Sequence, residues 1–149
     1  MRKNYGLTLV ELLIVMAVIT IIIGIAIPSF RGMQDEARKV KAQGDLKVLK
    51  VAIESYYKNN GNQYPDRTNY QSLLRAALPM MVDRDLYDPF GSTSTTQYVY
   101  ELSNDDPATS HYYVLYSVGP AGGGQAIVDN NGTVTATGDA IWASNGHVQ

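Results

Sequence analysis

Glu11 is a lone carboxylate in an apolar run. From Leu7 to Phe30 the chain reads LTLVELLIVMAVITIIIGIAIPSF, with no charged residue between Leu12 and Ile27. A carboxylate in an apolar span is costly and ordinarily has a partner of opposite charge. No Lys or Arg lies within reach on the same helix face. One reading is a carboxylate that snorkels to the membrane interface. The other needs a new cation nearby. Cutting the chain after Gly6 would create one, because Leu7 would then carry a free α-amino group four residues before Glu11. On one chain that geometry is poor. Between staggered neighbouring chains the two charges can meet and neutralise each other in lipid.

The other reactive residue types carry less. Ser110-His111 has Asp105 and Asp106 close by in sequence. Adjacent residues on a strand point to opposite faces, however, and there is no nucleophile elbow. An enzyme is not expected. Asp83, Asp85 and Asp88 cluster beside Arg84, which reads as a solvated loop rather than a metal site. Gly119-Pro120-Ala121-Gly122-Gly123-Gly124 follows a strand-like run but lacks the spacing of a phosphate loop. With no cysteine, disulfides, thiolate metal sites and Cys nucleophiles are excluded; two histidines are too few for a multi-His metal centre. A formal net charge of −2 argues against a general nucleic-acid binder. That charge is uneven. Residues 31–60 carry seven Lys or Arg against four Asp or Glu, and residues 61–149 carry three against nine. Such a split suits either two solvated faces or complementary contact between copies.

These residues must be positioned by a few elements. The apolar run is long enough to cross a hydrocarbon core of about 30 Å as a helix. Its eleven Leu, Ile and Val residues between Leu12 and Ile27 favour insertion by roughly 3–7 kcal/mol. Glu11 opposes this by about 3 kcal/mol at most. Arg2 and Lys3 before the span place the amino terminus in the cytoplasm and the rest of the chain across the membrane. The run is too long for a secretory signal and no small-x-small site follows it. Beyond it, Met33, Ala37, Val40, Gly44, Val48, Val51 (or Ala52) and Tyr56 recur at spacings of three and four, with Leu49 and Ile53 widening the stripe. This predicts an amphipathic continuation of the helix as far as Asn59-Asn60-Gly61. Gly24 and Pro28 are weak points within it. Tyr70 to Ala77 predicts a short helix. Gln97–Leu102 and His111–Val118 predict strands, and Gln125–Val128 with Thr133–Ala136 predicts a hairpin around Asp129-Asn130-Asn131-Gly132. The class is α+β: a long helix, first transmembrane and then amphipathic, packed on a small antiparallel sheet.

Gly6 followed by LTLVELLIVMAVITIIIGIAIP resembles the class III signal of type IV pilins and type II secretion pseudopilins. That family has a short basic leader ending in Gly, a hydrophobic residue, and Glu at the fifth position after the cut. Gly6, Leu7 and Glu11 match, and Pro28 matches a proline that the family carries in this helix. Leu7 departs from the commoner Phe at the first mature position. The resemblance implies a pilin-like fold with a leader over 1–6, a transmembrane and polymerisation helix over 7–30 and a globular domain over 31–149. It implies cleavage after Gly6 and N-methylation of Leu7 by a prepilin peptidase, and loss of helicity near Gly24 and Pro28 in a packed filament.

The run of DPFG, YVYEL, YYVLYSVGP and GDAIW also resembles the carboxyl domain of the major pseudopilin. The implied metal is calcium, with Asp129 and Asp139 as candidate ligands, joined by Asn130, Asn131 and backbone carbonyls. The loop is poorer in acids than the family pattern. The implied function is a structural subunit of a type IV pilus-like filament, with a type II secretion major pseudopilin ahead of a major type IV pilin that serves adhesion, twitching motility or DNA uptake. A membrane-anchored binding module that never polymerises is a further alternative, which leaves Gly6 and Glu11 unexplained. The implied partners are further copies of the chain, the peptidase, an inner-membrane assembly platform and membrane lipid. The implied location is a single-pass inner-membrane precursor whose mature form lies in a periplasmic or cell-surface filament.

Overall fold

A computed structural model describes residues 8–148, apart from the side chains of Pro28, Ser29 and Arg31. The long helix α1 runs Leu9–Asn59. The chain divides into two compact units, Met1–Glu36 and Ala37–Gln149. In the first unit the described residues are helical from Leu9 onward, and their large apolar side chains, Leu12, Ile14, Ile21 and Ile25 among them, are exposed. Among the described residues, α1 is the one helix long and apolar enough to cross a membrane. Beyond its first turn a helix bonds its backbone amides internally, so such a segment can enter lipid with few polar groups stranded; Pro28, which has no N–H, takes the usual donor from the Gly24 carbonyl.

The second unit is built in layers. The remainder of α1 packs on a sheet of β1 (Val99–Leu102), β2 (Tyr113–Ser117) and β5 (Ile141–Ser144), all antiparallel in the order β1-β2-β5. Side chains alternate across a strand. Accordingly Tyr113 and Leu115 of β2, with Tyr100 and Leu102 of β1, turn toward α1. Val114 of β2, with Tyr116 and Trp142, turns the other way onto Ala126, Val128 and Val134. Those three belong to a second sheet, β3 (Gln125–Val128), β4 (Thr133–Thr137) and β6 (His147–Val148). The β3–β4 pair is the expected hairpin, with Gly132 at φ 84° closing its turn. β6 adds to β4 in parallel, which the expectation of one small antiparallel sheet did not contain. The short helix α2 (Tyr70–Ala76) seals the remaining side of the core with Tyr70 and Leu74.

One expectation is corrected. The stripe through Met33, Val40, Val48 and Val51 is not the buried face of α1: these residues are 69%, 61%, 50% and 63% exposed. The core face is Ala42, Leu46, Leu49, Ala52 and Ile53, so the residues that widened the expected stripe, Leu49 and Ile53, and the alternative Ala52 are inside, whereas its main line is not. The two stripes are two residues out of phase, which at 100° per residue puts them on nearly opposite sides of the helix. Burial therefore has to be tested where it occurs. Leu49→Ala should cost about 2–5 kcal/mol in urea unfolding of the detergent-extracted protein. Val51→Ala should stay within about 0.5 kcal/mol. Equal costs would contradict this assignment.

Tyrosines form much of the core. The rings of Tyr57 and Tyr64 lie 4.5 Å apart, Tyr64 and Tyr113 5.3 Å, Tyr113 and Tyr100 6.0 Å, and Tyr100 and Tyr70 4.9 Å. Most of the buried hydroxyls find partners: Tyr70 donates to the Tyr98 carbonyl at 2.8 Å, Tyr98 to Asp45 Oδ2 at 2.9 Å, and Tyr113 to Glu54 Oε1 at 3.2 Å. Burial pushes the Tyr64 phenol from 10.0 up to about 12, with Tyr57 adding to the effect. It pushes Tyr70, Tyr98, Tyr100 and Tyr113 upward as well. All five stay neutral near pH 7, as a buried cluster requires.

Candidate assembly and processing site

Gly6 and Leu7 lie outside the described residues, so the expected cut lies outside them too. Glu11 lies in the first turn of α1 and is exposed. The start of the helix is held locally. Thr8 Oγ1 accepts the Glu11 amide at 3.2 Å, and the Thr8 carbonyl accepts the Leu12 amide at 3.1 Å. This cap uses the backbone of Glu11 and leaves its carboxylate available. Further along, Thr20 donates its hydroxyl to the Met16 carbonyl at 2.8 Å, so the only polar side chain between Leu12 and Ile27 is satisfied within its own helix. α1 continues through Gly24 and Pro28. A Cβ added at Gly24 would meet nothing within 4 Å.

The candidate calcium ligands are not brought together. Asp129, Asn130 and Asn131 sit at the tip of the β3–β4 hairpin, where Asp129 Oδ1 accepts the amides of Asn131 at 2.9 Å and Thr133 at 2.8 Å. Asp139 follows β4 at the other end, because Gln125 pairs with Thr137 there and Val128 pairs with Val134 near the tip. The strand between them spans about 10 Å. Among the described residues no three His, Cys, Asp or Glu gather as a metal-holding group. Calcium takes six to eight oxygens, commonly from several carboxylates. The residues proposed from the sequence do not fit it.

The remaining polar candidates are structural. Ser110 is buried and donates its hydroxyl to the carbonyls of Asn104 at 3.0 Å and Asp106 at 2.9 Å, not to His111. Asp85 pairs with Arg75 at 3.0 Å. Asp88 leaves its neighbours and enters the core: its carboxylate accepts Ser117 Oγ at 2.7 Å, the Phe90 amide at 2.9 Å and the Val118 amide at 3.1 Å. Two further residues escaped the reading of the sequence. Buried Gln71 bonds both backbone groups of Leu86, at 2.8 and 2.6 Å. Asn145 joins Tyr64, His111 and Tyr113. Neither type signals its partner at such sequence separations.

Comparison with known proteins agrees with the amino-terminal reading. The model of the prokaryotic N-terminal methylation motif matches residues 1–27. Type II secretion system core protein G of Escherichia coli (strain K12) is 28% identical over 130 residues, covering 80% of this chain and 84% of that protein. The protein of the same name from Pseudomonas aeruginosa is 25% identical over 143 residues, covering 89% of this chain and 94% of that protein. The type IV major pilin protein PilA of Myxococcus xanthus is 39% identical over 67 residues, covering 45% of this chain and 30% of that protein. No solved structure matches. The chain carries the methylation motif and is similar to type II secretion pseudopilins and type IV pilins.

Proposed function

We propose that this chain, a pilin-like protein bearing the N-terminal methylation motif, is a structural subunit of a type IV pilus-like filament. It is made as a membrane precursor with its amino terminus in the cytoplasm, cut after Gly6 by a prepilin peptidase, and methylated at Leu7. It then polymerises through the first part of α1, drawn from the membrane by an assembly platform. The observation that carries this reading is Glu11, exposed in the first turn of α1 at the head of a stretch whose large apolar side chains are exposed and which has no other charged residue as far as Ile27. A filament core of apolar helix on apolar helix gives those side chains a place to pack. The amine of a neighbour's Leu7 gives Glu11 a counter-charge, which sets register between subunits.

The role is that of a type II secretion major pseudopilin, supported by relatives that match over most of the chain's length. A major type IV pilin is the second reading, favoured by the higher identity to PilA over a shorter stretch. Mass spectrometry of the membrane-extracted protein should find a chain beginning at methylated Leu7. A chain still carrying residues 1–6, in cells with active peptidase, would overturn the proposal. Shearing the cells then separates the two roles. Release of long filaments containing the chain marks a surface pilus, and retention with the membrane marks a short periplasmic pseudopilus.

A further inference from the structure

The segment from Val118 to Gly124 is tied down by a device that the calcium expectation did not anticipate. Asp139 Oδ2 accepts the amide of Ala121 at 2.7 Å. The loop also closes on itself, with the Gly122 amide on the Gly119 carbonyl at 2.9 Å and the Gly124 amide on the Val118 carbonyl at 2.8 Å. Its contacts with Asp139 and Ala140 are as close as backbone allows. Gly119 has φ 74°, and a Cβ there would fall 2.1 Å from the Asp139 carbonyl oxygen. A Cβ at Gly124 would fall 2.5 Å from the Ala140 nitrogen.

We propose that Asp139 clamps this glycine-rich loop by hydrogen bonding, in place of a bound cation, so that folding of the domain does not depend on divalent metal. Three observations carry it. Asp88 holds the start of the loop through the Val118 amide, and among the described residues Asp139 is the one carboxylate bonded to residues 119–124; the hairpin turn uses Asp129 at the far end of β3 and β4. The residue where the loop meets that carboxylate is Ala121, which offers a methyl group rather than an oxygen. An amide already holds Asp139 Oδ2. The other oxygen, Oδ1, is buried with no partner among the described residues. Calcium gathers six to eight oxygens, commonly with several carboxylates among them, whereas here one carboxylate, already holding an amide, is the charged ligand beside the backbone carbonyls of the loop.

The test is thermal unfolding of the full-length, detergent-extracted protein, followed by Trp142 fluorescence in β5, in millimolar calcium and in excess chelator. A calcium site of micromolar affinity would raise Tm by about 10 °C under these conditions. The expected result is the same Tm in both. Asp139→Ala should lower Tm by roughly 5 °C whether calcium is present or absent. It should also speed hydrogen exchange at the Ala121 amide. Asp139→Asn keeps an oxygen acceptor and should restore most of both. A saturable rise in Tm with calcium that disappears in Asp139→Asn would overturn the proposal in favour of a cation site. Unchanged Tm and exchange in Asp139→Ala would show that the clamp carries no weight. If Asp139→Ala does not fold, the wild-type and Asp139→Asn titrations still decide between clamp and cation. None of these outcomes depends on whether the chain forms filaments.

Discussion

Replacing Asp88 with alanine is expected to destabilise the globular unit by about 3–5 kcal/mol, with loss of its buried hydrogen bonds as the cause. The carboxylate is 4% exposed and takes three donors, Ser117 Oγ and the amides of Phe90 and Val118. Ser117 is itself fully buried, and its hydroxyl oxygen accepts the Gly119 amide at 3.3 Å. Asp88 thus fastens the turn after α2 to the end of β2 and the loop beyond it. Alanine strands these donors without water, and each buried orphan costs roughly 1–3 kcal/mol. Against a typical total of about 5–15 kcal/mol, such a loss leaves a marginal domain.

Asparagine should be intermediate. It keeps an oxygen for Ser117 and Phe90 but turns an amide group against the Val118 amide. Ser117→Ala should cost about 1 kcal/mol, since the two backbone donors to Asp88 survive. Urea unfolding of the detergent-extracted protein measures all three. An Asp88→Ala loss below about 0.5 kcal/mol would mean that water replaces the carboxylate, and that the bonds drawn here do not hold the turn.

Asp88 also marks where reading the sequence stops. Its neighbours Asp83 and Asp85 make it look like one of a solvated cluster, yet it lies in the core while Asp83 is exposed. Local pattern cannot reveal this, because two of the three partners, Ser117 at the end of β2 and Val118 after it, lie about thirty residues on. The same applies to Gln71 with Leu86 and to Asn145 with Tyr64. Periodicity found α1, α2, β1, β2 and the β3–β4 hairpin but not β5 or β6. Tyr70–Ala76 is the short helix, and the two alternating runs and the hairpin are strands. What periodicity could not choose was the inward side of α1, because the helix is apolar on two nearly opposite faces between Val40 and Ile53. Only the sheet, assembled from residues after Val99, decides that Leu46 and Leu49 go in and Val48 and Val51 stay out. The placement of Asp129 and Asp139 at opposite ends of the hairpin was illegible for a related reason. A ten-residue separation between Asp129 and Asp139 says nothing of proximity when a whole strand lies between them. At the amino terminus the legible signal is of another kind. A basic leader, Gly6, a carboxylate five residues on and an apolar run are all adjacent in sequence, so no folding is needed to bring the pattern together.

Replacing Glu11 with valine should abolish filaments while leaving the subunit made, inserted and cut. Valine removes a group that opposes insertion by up to about 3 kcal/mol, so the membrane step should improve. The helix start is also spared. Thr8 Oγ1 caps the amide of residue 11, not its side chain, and that bond survives substitution. The globular unit does not contain residue 11, so its Tm should not change. In the proposed assembly, what disappears is the counter-charge for the Leu7 amine of the next subunit. In the apolar core of a filament that amine would be buried alone, a cost of several kcal/mol at every interface. Repeated along the polymer, such a cost suppresses assembly by orders of magnitude. Glu11→Gln separates charge from shape. It nearly preserves size and hydrogen-bonding capacity but cannot neutralise an ammonium, so it should assemble as poorly as valine. Sheared-filament yield, read beside membrane-bound mature subunit, is the measurement. Normal yield from the glutamine variant with failure of the valine variant would assign Glu11 a hydrogen-bonding role instead of a charge. Normal yield from both would remove the carboxylate from the assembly mechanism. Accumulation of uncut precursor would instead move its role to recognition by the peptidase.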